Sequence, residues 1–225
     1  MSSLKADIGF LLNSAAEKLT VVDEVGRPID NQLLLLILTD LYLKTHQPKK
    51  IAVPVNASMG VDDIAAEYGT EVIRVVNDHR GMMEAKMKFN VDFVGGTKGG
   101  FIFPGFQLGA DAIYAGVKIL EMMAQTKLHF GQIRKKYEKY IRETVSIPCP
   151  WARKGLVMRK IITETDNKKR QLIDGIRIFE DKGWVLIIPD RMKASFNILA
   201  ESTSKKDTDK LINRYRSYVE DCQDN

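Results

Sequence analysis

Apolar positions along the chain alternate between two kinds of run. Short stretches rich in β-branched residues, such as Leu19-Thr20-Val21-Val22, predict strands, and stretches with apolar residues three and four apart predict helices. On this basis residues 7–12 and 18–23 are two strands joined to a turn, Asp23-Glu24-Val25-Gly26-Arg27-Pro28. Asp30 caps a helix from Asn31 to about Thr45 that is apolar almost all round, which implies burial between layers, and Gln47-Pro48 ends it. The next unit alternates in type: strand 51–55, helix 59–68 with Gly69 just past its end, strand 71–76, and helix 79–89. Short strands 92–94 and 101–103 flank a glycine-rich bend, and a helix over 109–125 carries Ile113, Val117 and Leu120 on one stripe. Such a β-α-β-α order predicts a mainly parallel sheet covered by helices. After Tyr140 the order changes to strand 144–147, helix 151–163, strands 171–179, 184–188 and 195–201, and a helix over 204–220. This predicts an α/β region followed by a separate α+β C-terminal domain, with the boundary near residues 141–148.

Composition excludes several classes. Cys149 and Cys222 make neither a disulfide framework nor a zinc site and read as reduced thiols of a cytoplasmic protein. His46, His79 and His129 stand in no ligand spacing. No apolar run spans a bilayer, and the N-terminus lacks the features of a signal peptide; Ala6 to Leu11 already reads as a core strand, as in a fragment of a longer polypeptide. The net charge of +5 is uneven, since residues 127–170 hold thirteen Lys/Arg against four Asp/Glu and the rest is net −4. That segment suits an anionic partner or a solvated helix face; Ile133, Tyr137 and Tyr140 have helical spacing with the charges around them.

Several segments in order, LTVVDEVGRPID, GGFIFPGF, SIPCPWARKG and LIDGIRIFEDKGWVLIIPD, resemble landmarks of the phosphohexomutases, the phosphomannomutase/phosphoglucomutase enzymes. The resemblance covers nearly the whole chain. It implies the end of that family's second domain (1–47), its third domain (48–140) and its C-terminal domain (141–225), without the first domain that carries the phosphoserine. DHRGMMEAKMKF followed by GGFIFPGFQLGADAIYAGVKILEMMA is most similar to the mutase-like half of bacterial sugar-phosphate nucleotidyltransferase fusions, the mannose-1-phosphate guanylyltransferases. This implies upstream nucleotidyltransferase and mutase-like domains of the same polypeptide as partners.

The family's reaction moves a phosphoryl group between O1 and O6 of a hexose, and three loops carry it. The metal loop of active members reads Asp-Gly-Asp-Ala-Asp-Arg, where this chain has Asn13-Ser14-Ala15-Ala16-Glu17-Lys18. Mg2+ prefers carboxylate and other oxygen ligands; Asn13 offers an amide oxygen, Ala15 nothing and Glu17 the sole carboxylate, so no metal is expected in this chain although the active family uses Mg2+. The sugar loop reads Gly-Glu-x-Ser-Gly-His in the family and Gly95-Gly96-Thr97-Lys98-Gly99-Gly100 here. Gly96, Lys98 and Gly100 remove the hydroxyl acceptor and the imidazole; Thr97 and Lys98 remain as polar groups, and the residues favour a bend over a phosphate nest. The phosphate loop reads Arg-Pro-Ser-Gly-Thr-x-Pro in the family and Ile188 to Ala194 here, with Asp190, Arg191 and Lys193 as the polar equivalents and Arg191 and Lys193 on one face if the strand continues. Arg80 matches a basic residue near the family's substrate. Trp151 reads as a packing anchor or a sugar platform.

The expectation is a mutase-like module in carbohydrate metabolism with degenerate loops and no catalytic residues of its own, serving an attached nucleotidyltransferase. Two alternatives stay open: part of a genuine phosphomannomutase/phosphoglucomutase, and an anion- or nucleic-acid-binding module using residues 127–170, which carries no recognition motif. A sugar phosphate and a homo-oligomer are partners the sequence leaves open.

Overall fold

A computed structural model describes residues 6–224, which contain eleven strands and seven helices, and the chain divides into two compact units between Glu138 and Lys139. The first unit opens with a two-stranded antiparallel ribbon, β1 (Gly9–Leu12) and β2 (Leu19–Val22), in which Gly9 faces Val22. The turn after β2 is held by Asp23, whose carboxylate accepts from the Val25 and Arg27 amides at 3.1 and 2.8 Å. Helix α1 (Asn31–His46) follows, its first turn capped as expected by Asp30 accepting from the Gln32 and Leu33 amides. Every residue from Leu33 to Leu43 is buried. Each fully buried Leu or Ile contributes about 1.5–3 kcal/mol relative to exposure, so α1 is the spine of this unit.

Around it stand β3 (Lys50–Pro54), α2 (Gly60–Glu67), β4 (Glu71–Val75), α3 (His79–Phe89), β5 (Phe93–Gly95), β6 (Phe101–Ile102), α4 (Ala112–Thr126) and α5 (Phe130–Tyr137). The sheet runs β4-β3-β5-β6, parallel except for β6. Alternation along β5 separates its two faces. Phe93 stacks on Tyr42 of α1, while Val94 joins Ala52, Val75 and Ala85 beneath α3. The one acidic residue of α1, Asp40, is buried and accepts from the Tyr68 hydroxyl at 3.1 Å, with the Lys136 ammonium 3.6 Å away. It ties α2 and α5 to the spine. In α5, Ile133 and Tyr137 are buried, whereas Tyr140 lies past the helix end.

The stripe on α4 faces outward. Ile113, Val117 and Leu120 are 59%, 58% and 47% exposed, and the buried face is made by Ala112, Ala115, Gly116, Ile119 and Met122. That face packs against α1 and β1, where a Cβ on Gly116 would stand 3.5 Å from the Phe10 ring, an ordinary contact distance.

The second unit contains β7 (Ile141–Pro148), α6 (Trp151–Glu164), β8 (Arg170–Gln171), β9 (Ile176–Glu180), β10 (Gly183–Pro189), β11 (Ser195–Ser202) and α7 (Lys205–Asp224). Its sheet is antiparallel in the order β7-β11-β10-β9-β8. Val157 and Ile161 of α6 and Ile212 and Val219 of α7 cover the Ile178, Val185, Ile187, Phe196 and Ile198 face. The strand predicted over 171–179 is broken in two, because Asp174 and Gly175 turn the chain at φ 49° and 125°. Trp151 is not a packing anchor: it is 56% exposed, with the Lys154 ammonium 3.7 Å from its ring centroid. Both cysteines are buried and unpaired, and burial pushes the Cys149 thiol above its ordinary value.

Candidate functional site

In open α/β sheets ligands bind beyond the carboxyl ends of the strands, where neighbouring strands connect in opposite directions. Here β3 leads to β4 on one side and β5 leads to β6 on the other, so that point lies between β3 and β5. Asn56 follows β3, and Gly96 and Thr97 follow β5. Thr97 is buried, with its hydroxyl 3.4 Å from the side-chain oxygens of both Asn56 and Asn77. A cleft of about 110 Å³ opens beside it, lined by Gly96, Thr97, Lys98 and Gly100 of the sugar-loop equivalent. Glu17 and Lys18 of the metal-loop equivalent close one side, and Asn77, Asp78, His79, Met82 and Met83 at the start of α3 close another. Ligand pockets are usually roughly 300 Å³ or more, so this cleft is smaller than a usual ligand pocket.

The glycines of the bend serve packing. A Cβ on Gly96 would stand 2.4 Å from the Gly100 carbonyl oxygen. Gly99 holds φ +81°, and a Cβ there would meet the Leu19 carbonyl oxygen at 2.5 Å. The Leu19 amide donates to the Gly99 carbonyl at 2.8 Å, which hooks the bend onto β2 and brings the first and second loops together.

The metal-loop equivalent is a self-contained turn. The Asn13 carboxamide oxygen accepts from the Glu17 and Lys18 amides, each at 2.9 Å, and the Ala112 amide donates to the Ala16 carbonyl. With that oxygen engaged, Ala15 without a donor and Glu17 the sole carboxylate of the loop, these residues do not fit Mg2+. Among the described residues no group of three or more His, Cys, Asp or Glu is placed to hold a metal ion.

The phosphate-loop equivalent, in the second unit, is a turn rather than a continued strand, because β10 ends at Pro189. The expected strand alternation of Arg191 and Lys193 therefore does not apply. Asp190 accepts from the Met192 and Lys193 amides at 2.8 and 3.0 Å and from the Asn197 amide group at 3.0 Å. Those bonds, the Met192 amide foremost, hold its carboxyl below the usual range. Arg191 pairs with Asp174 at 2.8 Å. The buried Lys154 ammonium donates to the Asp190 carbonyl at 2.5 Å and also to the Lys193 carbonyl.

Arg80 is not among the residues that line the cleft and pairs with Glu84 at 2.6 Å; Lys88 and Arg80 together hold the Glu84 carboxyl at about 2. Its neighbour His79 lines the cleft instead. Lys18 and Asn77 were not singled out as site residues in the sequence; Asn77 was findable as the position just beyond the predicted strand 71–76. Many cations of the 127–170 segment are engaged within their own unit, Arg134 by Asp23 and Glu138, Lys136 by Asp40 and Glu67, Lys168 by Glu180 and Arg170 by Asp166.

The doubly packed sheet, the glycine bend and the cleft at its switch point define an open α/β scaffold with its cleft where such sheets hold ligands. The chain is similar to the phosphohexomutase superfamily: residues 30–140 match the family described as phosphoglucomutase/phosphomannomutase, alpha/beta/alpha domain III. Among relatives, the "Probable phosphoglucosamine mutase" of Pyrococcus abyssi is 30% identical over 99% of this chain and 50% of its own length. The phosphoglucosamine mutase of Methanococcus vannielii is 28% identical over 94% of this chain and 48% of its own. The chain thus spans about half the length of the curated relatives it matches. A phosphoglucomutase/phosphomannomutase family protein from Burkholderia thailandensis superimposes with a TM-score of 0.82 at 17% identity, over 98% of this chain and 48% of that one. The N-acetylphosphoglucosamine mutase of Aspergillus fumigatus, solved with GlcNAc-6P and magnesium, gives 0.67 at 14% identity over 95% and 48%. These relatives carry mutase names, so the expected likeness to a nucleotidyltransferase fusion gives way to a likeness to phosphoglucosamine mutases.

Proposed function

We propose that this chain is the C-terminal portion of a phosphohexomutase-type protein of hexose- or hexosamine-phosphate metabolism, binding a sugar phosphate and requiring a further mutase-like half for turnover. On this reading residues 1–47, 48–140 and 141–225 correspond to the end of the second domain, the third domain and the C-terminal domain. The observation that carries it is the cleft at the β3/β5 switch point, where the sugar-loop and metal-loop equivalents meet in a chain similar to phosphoglucosamine mutases over nearly its whole length. The small volume of that cleft, together with two loops whose polar groups are satisfied internally, argues that phosphoryl transfer draws on groups from elsewhere. The partner is then a mutase-like half, in the same polypeptide or as a separate one, in place of a nucleotidyltransferase.

The test is an assay of the chain with glucosamine 6-phosphate and glucose 1-phosphate, Mg2+ and the bisphosphate activator, alone and mixed with the N-terminal half of a phosphoglucosamine mutase. Turnover only in the mixture is the expected result. Turnover by the chain alone at ordinary enzymatic rates, about 1–1000 per second, would refute the requirement for a second half.

A further inference from the structure

We infer that the cleft holds the phosphate of its ligand between the ammonium groups of Lys18 and Lys98, with no divalent cation. This rests on the sugar-phosphate reading above and adds what supplies the positive charge. The two lysines belong to different loops, but each immediately precedes one member of the hydrogen-bonded pair Leu19 and Gly99. That 2.8 Å bond fixes the points from which both side chains leave, and both line the same cleft. Among the described residues neither ammonium is in an ion pair, in contrast with Lys50, Lys86, Lys88, Lys118 and Lys136 of the same unit, which all sit against carboxylates.

The opposing charges are also placed. Asp78 borders the cleft, but its carboxylate is the helix cap, accepting from the Gly81 amide at 2.6 Å. Glu17 faces the cleft as the remaining carboxylate. A phosphate monoester is close to a dianion at neutral pH, so two ammonium groups match it without a metal. The turn that would have to coordinate a cation has its Asn13 oxygen engaged by two amides. Glu17 has opposite roles under the two arrangements. As a metal ligand it would aid phosphate binding; as the lone negative group beside two lysines it weakens it.

The experiment titrates the 225-residue chain with glucosamine 6-phosphate and with inorganic phosphate, each in EDTA and in excess Mg2+, following backbone amide shifts of residues 17–19 and 97–99. Glucosamine 6-phosphate is expected to bind equally in both buffers. Lys98→Ala and Lys18→Ala each weaken it about tenfold or more, the size of a lost charge-assisted hydrogen bond, and Glu17→Gln tightens it. All three side chains are exposed, and the protection of the Leu19 amide reports whether a variant keeps the fold. Binding that needs Mg2+, or that Glu17→Gln abolishes, overturns the inference and leaves the sugar-phosphate reading standing. Inorganic phosphate bound at both lysines with the sugar phosphate excluded keeps the charge assignment and removes that reading. Indifference of binding to both lysine substitutions, or no binding of either probe, overturns the inference.

Discussion

Replacing Gly99 by alanine tests whether the bend is a structural joint. Its φ of +81° lies in the region an L side chain enters at a cost of about 1–2 kcal/mol. The new Cβ would stand 2.5 Å from the Leu19 carbonyl oxygen, a backbone atom of β2 that cannot rotate away, so the ribbon and the bend must separate. That separation stretches or breaks the 2.8 Å bond from the Leu19 amide to the Gly99 carbonyl, worth about 1 kcal/mol. Together Gly99→Ala should cost about 2–4 kcal/mol and expose the Leu19 amide to exchange. Gly105 is the control: no heavy atom lies within 4 Å of its would-be Cβ, and Gly105→Ala should stay within about 0.5 kcal/mol of the parent. Both tryptophans, Trp151 and Trp184, fall after Glu138, so their fluorescence follows the second unit. The first unit is therefore read by urea unfolding monitored by far-ultraviolet circular dichroism and by hydrogen exchange at Leu19. A Gly99→Ala protein as stable as the Gly105→Ala control, with Leu19 still protected, would refute the reasoning.

Two further outcomes are expected in the second unit, both read by tryptophan fluorescence. Lys154→Met leaves the Asp190 carbonyl without the ammonium that donates to it, leaves the Lys193 carbonyl with the Ser195 amide, and removes the cation beneath Trp151, and should lower stability by about 1–3 kcal/mol in urea. Burial raises the Glu180 carboxyl, but hydrogen bonds from Lys168 and Tyr215 and the charges of Lys168 and Arg214 outweigh it, leaving the group below its ordinary value of 4.5. A carboxyl depressed in the folded state stabilises above the ordinary value and loses that contribution as pH falls through the folded one. Acid titration below about pH 4.5 should therefore unfold this unit more steeply in the parent than in Glu180→Gln, which is already less stable at neutral pH.

The elements that sequence predicted best are those whose signals are local. Asp30 sits one residue before α1 and Asp78 one before α3, and each helix begins where its cap demands. On α4 the helical periodicity was correct, and the stripe it picks out is the exposed one. Both the Ile113-Val117-Leu120 stripe and the Ala112-Ala115-Ile119 stripe repeat at helical spacing, and the packing of α4 against α1 and β1, which no period encodes, decides which is buried. The break at Asp174 and Gly175 was hidden because flanking β-branched residues read as one long strand. Within the cleft, Gly96 to Gly100 were visible as a motif, being contiguous. Lys18 and the Asn77-to-His79 stretch come from two segments distant in sequence from that motif, and their meeting with it follows from the fold and not from a linear pattern.

Two of the three altered loops show one physical operation. A loop built to receive an anion or a cation presents donors or acceptors unpaired until the ligand arrives, and burying them unpaired costs about 1–3 kcal/mol apiece. In the metal-loop equivalent Asn13 turns its oxygen onto the amides of its own turn, and in the phosphate-loop equivalent Asp190 does the same with its carboxylate. Both turns are thereby satisfied without a ligand. The bend at Gly96–Gly100 differs, because its backbone is fixed by packing while Lys98, in no ion pair among the described residues, lines the same cleft as Lys18. Ligand-directed charge in the first unit is thus concentrated where two loops are joined by one backbone hydrogen bond, and that joint can be broken by a single methyl group on Gly99 without touching either lysine. Loss of sugar-phosphate binding in Gly99→Ala, with both ammonium groups still present, would show that their placement and not their charge alone makes the site.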